Sequence, residues 1–586
     1  MTCPSSALGL TDLVNVSSVL RNIVQPSFGP ICRPTLITSN TGQVVFTKDG
    51  HMILASLSLS HPVTKIILES IEVQSQLYGD GCKTLILYLS EIFLGIQRNL
   101  HVWNTDYRMA QKNSISSSLQ KYIMEDFASM YQNLTESVSD LMFPAAGGNS
   151  CSKMARQVAR TILSGHLPED LVDHLGNLIS DFIITLSRSA DQRTILDMCF
   201  QNCVHVFPSG AYLSSRLMDG LFFTGAAHPC WMKRVGTTQF VIALCPLDGE
   251  EQGSHSEYFF TLKSHKTQED IMHYKIQTVN VFLKSLRNHG VSLLVTSAKV
   301  SDFVLSACDS LGVDVFSCVD QEDIEFISFY TGMSPITSVH EEITDTSVCK
   351  VYSYSQTVHS GKQMLSLVCP GKSPDWQAKS IFLYAPSEGL VEQLKLLVRK
   401  CFRVMSHLLG ASSNHTVTWT DSLGCFSLVK TRPEEMLRES LCRNYDVGSN
   451  MASQNVIPGG GYFEFFLCYL IEKNTGKTST EKKTWADILR RMLLSVPQTL
   501  FHNLHPNGEN QTLSFVHASQ VAKKLLQDNK IVGFDSHGKL HDVIASGVVD
   551  VLSVKTAALF TALDLAVTLL RTDSILSVRK LPEQGV

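Results

Sequence analysis

The chain has 586 residues, with 49 Lys and Arg against 54 Asp and Glu, a formal charge of −5. That balance argues against nucleic acid as the main partner, because neutralising phosphates needs a basic footprint. Charged residues make up only 18% and hydrophobic residues 44%, so several cores can form while few charges remain to coat the outside, a hint of partner-covered surface.

In chain order, residues 11–25 open with Thr11 as a candidate cap, and Leu13, Val16, Leu20 and Val24 recur at helical spacing. Phe28-Gly29-Pro30 breaks that helix. Asn40-Thr41-Gly42 before QVVFT reads as a hairpin turn into a short strand. Two long apolar-periodic stretches, 62–77 and 84–96, predict helices separated only by Tyr78-Gly79-Asp80-Gly81-Cys82-Lys83. In the middle, residues 238–245, 291–296 and 313–319 predict strands. They alternate with predicted helices over 268–288, 301–311 and 321–330, which points to a small α/β domain with parallel pairing. Residues 381–386 predict one more strand, feeding a helix with apolar positions at Leu390, Leu394, Leu397, Cys401, Met405 and Leu408. Residues 410–453 lose periodicity and read as an inserted polar segment. A final helix is predicted over 549–570. Helical ends around an α/β middle suggest domains nested in one another.

The most apolar stretch, 548–570, contains Asp550, Lys555 and Asp564, so no membrane span is expected. The first residues, MTCPSSALGLTDLVN, carry no basic region followed by an apolar one. No secretory signal is expected, and the sixteen cysteines are read as reduced thiols. Cys199 and Cys203 lie four apart with no second Cys/His pair to complete a zinc site. HExxH, GxSxG and GxxxxGK[ST] are all missing from the sequence.

Gly79-Asp80-Gly81 joins two predicted helices. Free amides at a helix N-terminus favour an anion, glycines let a phosphate approach the backbone, and a carboxylate in the turn could hold Mg²⁺. The plainer reading is that Gly79 caps one helix and Asp80 the next. Asp49, in Thr47-Lys48-Asp49-Gly50, is by itself a turn residue. The triple glycine 459–461 admits either a ligand or a neighbouring helix.

The order of Phe28-Gly29-Pro30, Thr47-Lys48-Asp49-Gly50, Gly79-Asp80-Gly81, Gly459-Gly460-Gly461 and Leu569-Leu570-Arg571-Thr572-Asp573 resembles the group II chaperonin framework. Thr161-Ile162-Leu163-Ser164 and Met218-Asp219-Gly220 with His228-Pro229 resemble its domain junctions. The resemblance implies an α/β multidomain chain with a helical equatorial domain, a small intermediate domain and an α/β apical domain. The implied boundaries are 1–151 and 454–586 (equatorial), 152–215 and 366–409 (intermediate), 216–365 (apical), and 410–453 as the insert. It also implies an ATP/Mg²⁺ site at Gly29, Pro30, Asp49, Gly50, Gly79, Asp80, Gly81, Cys82, Lys83, Thr84, Gly460 and Gly461, with Asp80 as the metal ligand.

The departures bear on activity. Pro30 is followed by Ile31-Cys32 where the family carries Lys-Gly, and Cys82-Lys83 stand where it carries two threonines. Lys400, in Arg399-Lys400-Cys401-Phe402, falls where the family has the aspartate that orients the attacking water. A protonated lysine cannot accept that water's proton, so hydrolysis is expected to be lost while nucleotide binding stays open. VSLLVTSAKVSDFV, Thr331-Gly332-Met333-Ser334-Pro335 and Val456-Ile457-Pro458-Gly459-Gly460-Gly461 resemble the divergent chaperonin-like Bardet–Biedl group in particular. That resemblance implies an assembly factor whose partners are other chaperonin-like Bardet–Biedl proteins and CCT/TRiC subunits. BBSome subunits would be its clients, and it would reside in the cytoplasm, at the basal body and in the cilium. The alternative is an ATP-dependent folding subunit in a ring of its own. The 268–288 helix, with Ile271, Tyr274, Val279, Phe282 and Leu286, is a candidate partner surface, although packing on a sheet explains most of that stripe.

Overall fold

The computed structural model describes residues 5–38, 44–57, 59, 61–100, 108–127, 130, 148–186, 192–227, 234–247, 268–372, 376–409, 456–474, 479–506 and 511–576. Two compact units emerge, residues 1–177 with 397–586, and residues 178–396. The 40–42 turn, His228-Pro229 and the 410–453 segment lie outside the described residues.

The first unit is helical. Its centre is the Cys82–Arg98 helix, where Leu85, Ile86, Leu87, Tyr88, Leu89, Ile92, Phe93 and Ile96 are all buried. A helix apolar all round needs neighbours on every side. Leu10–Val24, Pro62–Tyr78, Tyr462–Asn474, Thr480–Leu504 and Leu552–Arg571 supply residues to the same core. Leu552–Arg571 is long and apolar enough to cross a membrane by length and composition alone, but two thirds of it is buried in this unit.

Local chemistry sets the element ends. The first helix is capped at Gly9 and not at Thr11. The Asp12 carboxylate accepts the Gly9 N–H at 2.9 Å, so a residue inside the first turn does the capping. The predicted 549–570 helix begins only at Leu552, because Val549–Val551 is extended and pairs antiparallel with Val456–Pro458. A hairpin pairs Thr35–Thr38 with Val44–Thr47 and delivers Asp49 to its turn.

In the second unit, Arg234–Ala243, Val291–Thr296 and Asp314–Ser317 run parallel, as the alternation predicted. Val279, Phe282, Leu283 and Leu286 of the Gln268–Asn288 helix join their core, while Tyr274 stays exposed. The sheet is wider than expected. Val348–His359 pairs antiparallel with Arg234–Ala243, and Lys362–Val368 and then Leu221–Thr224 extend that side. Val348–His359 and Lys362–Val368 are only partly buried, a weaker signal than a continuous apolar run. A three-stranded sheet sets Lys379–Tyr384 between Val204–Phe207 and Arg216–Asp219.

His205 on that small sheet sits edge-on to Phe222 and Phe382, and its buried Nε2 has no hydrogen-bond partner among the described residues. Burial, with His359 nearby, pushes its pKa down to about 4. An unfolded histidine titrates near 6.5, so this neutral ring contributes fully to stability above that pH, and the contribution is lost as pH falls toward 4. Thermal melts should therefore fall in midpoint across this window, and His205→Phe should flatten the slope. A variant with the wild-type slope would refute the assignment.

Candidate functional site

The site lies wholly in the first unit and starts at the 78–84 turn. The Pro62–Tyr78 helix ends on Gly79, whose φ of +75° is left-handed and whose N–H donates to the Ser75 carbonyl at 3.0 Å. Glycine is required there for a second reason. A Cβ would lie 2.9 Å from Arg403 Cβ and 3.0 Å from the Lys400 carbonyl oxygen, so only a bare backbone lets the Glu388–Leu409 helix come this close. Arg403 donates to the Ser75 carbonyl at 3.0 Å, and His407 Nε2 donates to the Leu77 carbonyl at 2.7 Å. The His407 ring stacks on Tyr78 at 4.7 Å. The helix bearing Lys400 is thus fixed to the end of the helix that precedes Asp80.

Asp80 is not the cap of the following helix. Gly81 holds the N-cap position with no side-chain cap bond, and the Asp80 carboxylate turns to Lys400. Lys400 Nζ lies 3.0 Å from Asp80 Oδ1 and 3.8 Å from Asp49 Oδ1. Asp49 caps the Gly50–Ala55 helix, accepting the Met52 N–H at 3.1 Å. The lysine side chain is 14% exposed, the Asp49 side chain 25% and the Asp80 side chain 52%. Burial alone would lower the Lys400 pKa, but Asp80 and Asp49 hold it well above the ordinary lysine value. Burial likewise pushes Asp80 up, yet the Lys400 charge prevails and brings it down to about 2. Asp49 is lowered in the same way, against its burial, by Lys400 and the Met52 amide. All three groups therefore carry full charge at neutral pH.

Lys83 leans away from this pair. Its stem covers Gly50, where a Cβ would be 2.5 Å from Lys83 Cγ, and its Nζ donates to the Ser27 carbonyl. Burial, then the Lys400 charge, lower its pKa. Asn503 Nδ2 donates to the Gln25 and Phe28 carbonyls, both at 2.8 Å, and so sets the turn leading into Gly29-Pro30. Beyond it, Ile31 is exposed while Cys32 is buried, its Sγ 3.3 Å from the Gly165 oxygen. Lys48 Nζ donates to that same oxygen at 2.6 Å. Thr84 is buried, and burial followed by the charges of Asp49 and Asp80 pushes the Cys82 thiol up to about 12, far from a reactive thiolate. Gly460 and Gly461 pack instead against Phe534 and Pro497.

Two groups near the carboxylates escaped the sequence reading. His166 carries a buried Nδ1 with no partner, and burial with the charges of Lys400 and Lys83 drops its pKa to about 3. Lys555 bridges Glu464 Oε1 and Asp550 Oδ2, each at 3.2 Å, and its charge also acts on Asp80. A visible hint was Glu464, three residues past the triple glycine on an otherwise apolar helix. In chemical terms, the amides opening the Cys82–Arg98 helix could face an anion. The two carboxylates suited to a metal already face a lysine. His166, at about 3, is too weak a base to take a proton from water at neutral pH.

A nested chain with a helical unit built from both of its flanks, an α/β unit between them and a Gly-Asp-Gly turn at a helix start defines the chaperonin class. The chain belongs to the TCP-1/cpn60 chaperonin family, matched over residues 20–413 and 438–580. It has the multidomain chaperonin fold. Among known proteins, it is 21% identical over 574 residues to T-complex protein 1 subunit gamma of Tetrahymena pyriformis, covering 96% of this chain and 89% of that one. Thermosome subunit alpha of Archaeoglobus fulgidus is 21% identical over 585 residues, with 97% and 92% covered. The BBSome complex assembly protein BBS10 of Mus musculus is 23% identical over 430 residues, which cover 68% of this chain and 58% of that protein.

Proposed function

We propose that this chain is a chaperonin-like assembly factor of the Bardet–Biedl 10 type that does not hydrolyse ATP. The observation that carries the reading is Lys400, a protonated side chain held between Asp80 and Asp49, where hydrolysis calls for a group that accepts a proton from water. The likeness to BBSome complex assembly proteins supports the choice of task. In this reading the chain works with other chaperonin-like Bardet–Biedl proteins and with CCT/TRiC subunits, takes BBSome subunits as clients, and acts in the cytoplasm and at the basal body and cilium. Residues 1–151 and 454–586 serve as equatorial domain, and the 216–365 region, flanked by the intermediate segments 152–215 and 366–409, presents the partner surface.

End-to-end likeness to thermosome and T-complex subunits favours a second reading, an ATP-driven folding subunit in its own ring. One pair of measurements separates the two. Purified full-length chain should release no phosphate from Mg²⁺-ATP above background, and it should co-purify with CCT/TRiC and BBSome subunits from ciliated cells. Phosphate release that is abolished by Asp80→Ala would overturn the non-catalytic reading in favour of the folding machine.

A further inference from the structure

The family to which the chain belongs leads one to expect Mg²⁺ at the Gly-Asp-Gly turn, with Asp80 as its ligand. The residues present do not fit that ion. Mg²⁺ demands oxygen ligands at about 2.0–2.1 Å in near-octahedral geometry, and the oxygen that would serve, Asp80 Oδ1, already takes an ammonium at 3.0 Å. The second carboxylate, Asp49 Oδ1, faces the same ammonium at 3.8 Å. A divalent ion placed on either carboxylate would meet a positive charge within a few ångströms, and like charges repel at that range.

Access is not the obstacle, because the Asp80 side chain is half exposed. Nor can the lysine readily withdraw. The Arg403–Ser75 and His407–Leu77 hydrogen bonds, the His407–Tyr78 stack and the bare Gly79 backbone hold its helix against the turn. Lys83, the neighbouring cation, is tied to the Ser27 carbonyl and makes no room.

We propose that Lys400 is a resident cation that takes the place of the divalent metal: Asp80 and Asp49 share the chain's own ammonium, and the site excludes Mg²⁺. The inference rests on the non-catalytic reading above but makes a separate claim. It turns the site from a metal-dependent one into a permanently ion-paired joint between the 62–78 and 388–409 helices. A point charge on a four-carbon stem suits this role, since it can serve two carboxylates at once without the planar geometry that a guanidinium demands.

The test uses the full chain without nucleotide. Wild-type protein should melt at the same temperature in EDTA and in millimolar Mg²⁺. Lys400→Met leaves two carboxylates facing each other. It should melt several degrees lower in EDTA and recover most of the loss when Mg²⁺ is added, because an ion that binds only the folded state stabilises it. The double variant Lys400→Met/Asp80→Asn should show no such recovery. Should Lys400→Met fail to fold, Mn²⁺ titration of the wild type by electron paramagnetic resonance decides the matter alone. No bound Mn²⁺ that depends on Asp80 is expected; micromolar uptake that disappears in Asp80→Asn would overturn the proposal. Wild-type metal uptake without phosphate release defeats this inference and leaves the assembly reading standing, whereas phosphate release defeats the assembly reading itself.

Discussion

Lys555→Met should destabilise the chain by about 3–5 kcal/mol, since removing one partner of a buried ion pair strands the others. Glu464 is fully buried, and among the described residues its Oε1 accepts from Lys555 and from the Tyr88 hydroxyl at 3.1 Å. Asp550, the third member, has its pKa raised by burial in spite of the lysine. Without Lys555 both carboxylates must either protonate or draw water into a core of leucines. The loss should therefore shrink as pH falls and the carboxyls become neutral. Adding Glu464→Gln to the variant should recover a large part of the loss. Urea titrations of wild type, single and double variants check both points, and equal midpoints for the single and double variants would count against a stranded Glu464.

Gly460→Ala should have an effect of similar size for a different reason. A Cβ at Gly460 would lie 2.2 Å from the Phe534 carbonyl oxygen and 2.8 Å from the Phe534 nitrogen, and the residue sits at φ +63°. Both neighbours are backbone, and they are fixed, because the Phe534 N–H donates to the Gly460 carbonyl at 2.8 Å. Left-handed backbone costs an ordinary residue about 1–2 kcal/mol and overpacking about 1–3 kcal/mol, so a loss of about 2–5 kcal/mol is expected in a denaturant melt. A loss no larger than the backbone term of about 1–2 kcal/mol would show that the 533–534 strand can move aside. The size of the loss separates the two readings of the triple glycine, because a purely ligand-facing glycine at this φ would lose only that backbone term.

The sequence showed the helical flanks, the parallel strands and the Gly-Asp-Gly turn because each has a short-range signature. Cys82–Arg98 carries the apolar run Leu85–Leu89 followed by Ile92, Phe93 and Ile96, Val291–Thr296 is a buried run, and the turn carries its glycines beside a helix start. Val348–His359 and Lys362–Val368 were missed because these partly buried strands carry no continuous apolar run. At the site, Asp49, Asp80 and Lys400 were each singled out by their place in the family pattern, but not the ion pairs that join them, because they come from three separate segments of the chain. His166 and the grouping of Lys555 with Glu464 and Asp550 went unread for the same reason. A charge reads as surface until the fold shows what surrounds it. Burial, which might have freed the Lys400 proton, is outweighed by two carboxylates that no local pattern places beside it.

Ser5–Ala7 pairs antiparallel with Ser574–Leu576, and Lys112 clasps both, donating to the Leu8 carbonyl at 2.6 Å and the Thr572 carbonyl at 2.7 Å. During synthesis on the ribosome, the first of these strands has no mate until residues 574–576 have been translated. Residues 178–396 emerge as one uninterrupted stretch and can collapse early. The helical unit must instead keep its earlier half waiting, with the apolar 82–98 segment lacking the neighbours that later cover it. Closing so long a loop is slow, and for that interval the segment's apolar surface stays open to association with other chains.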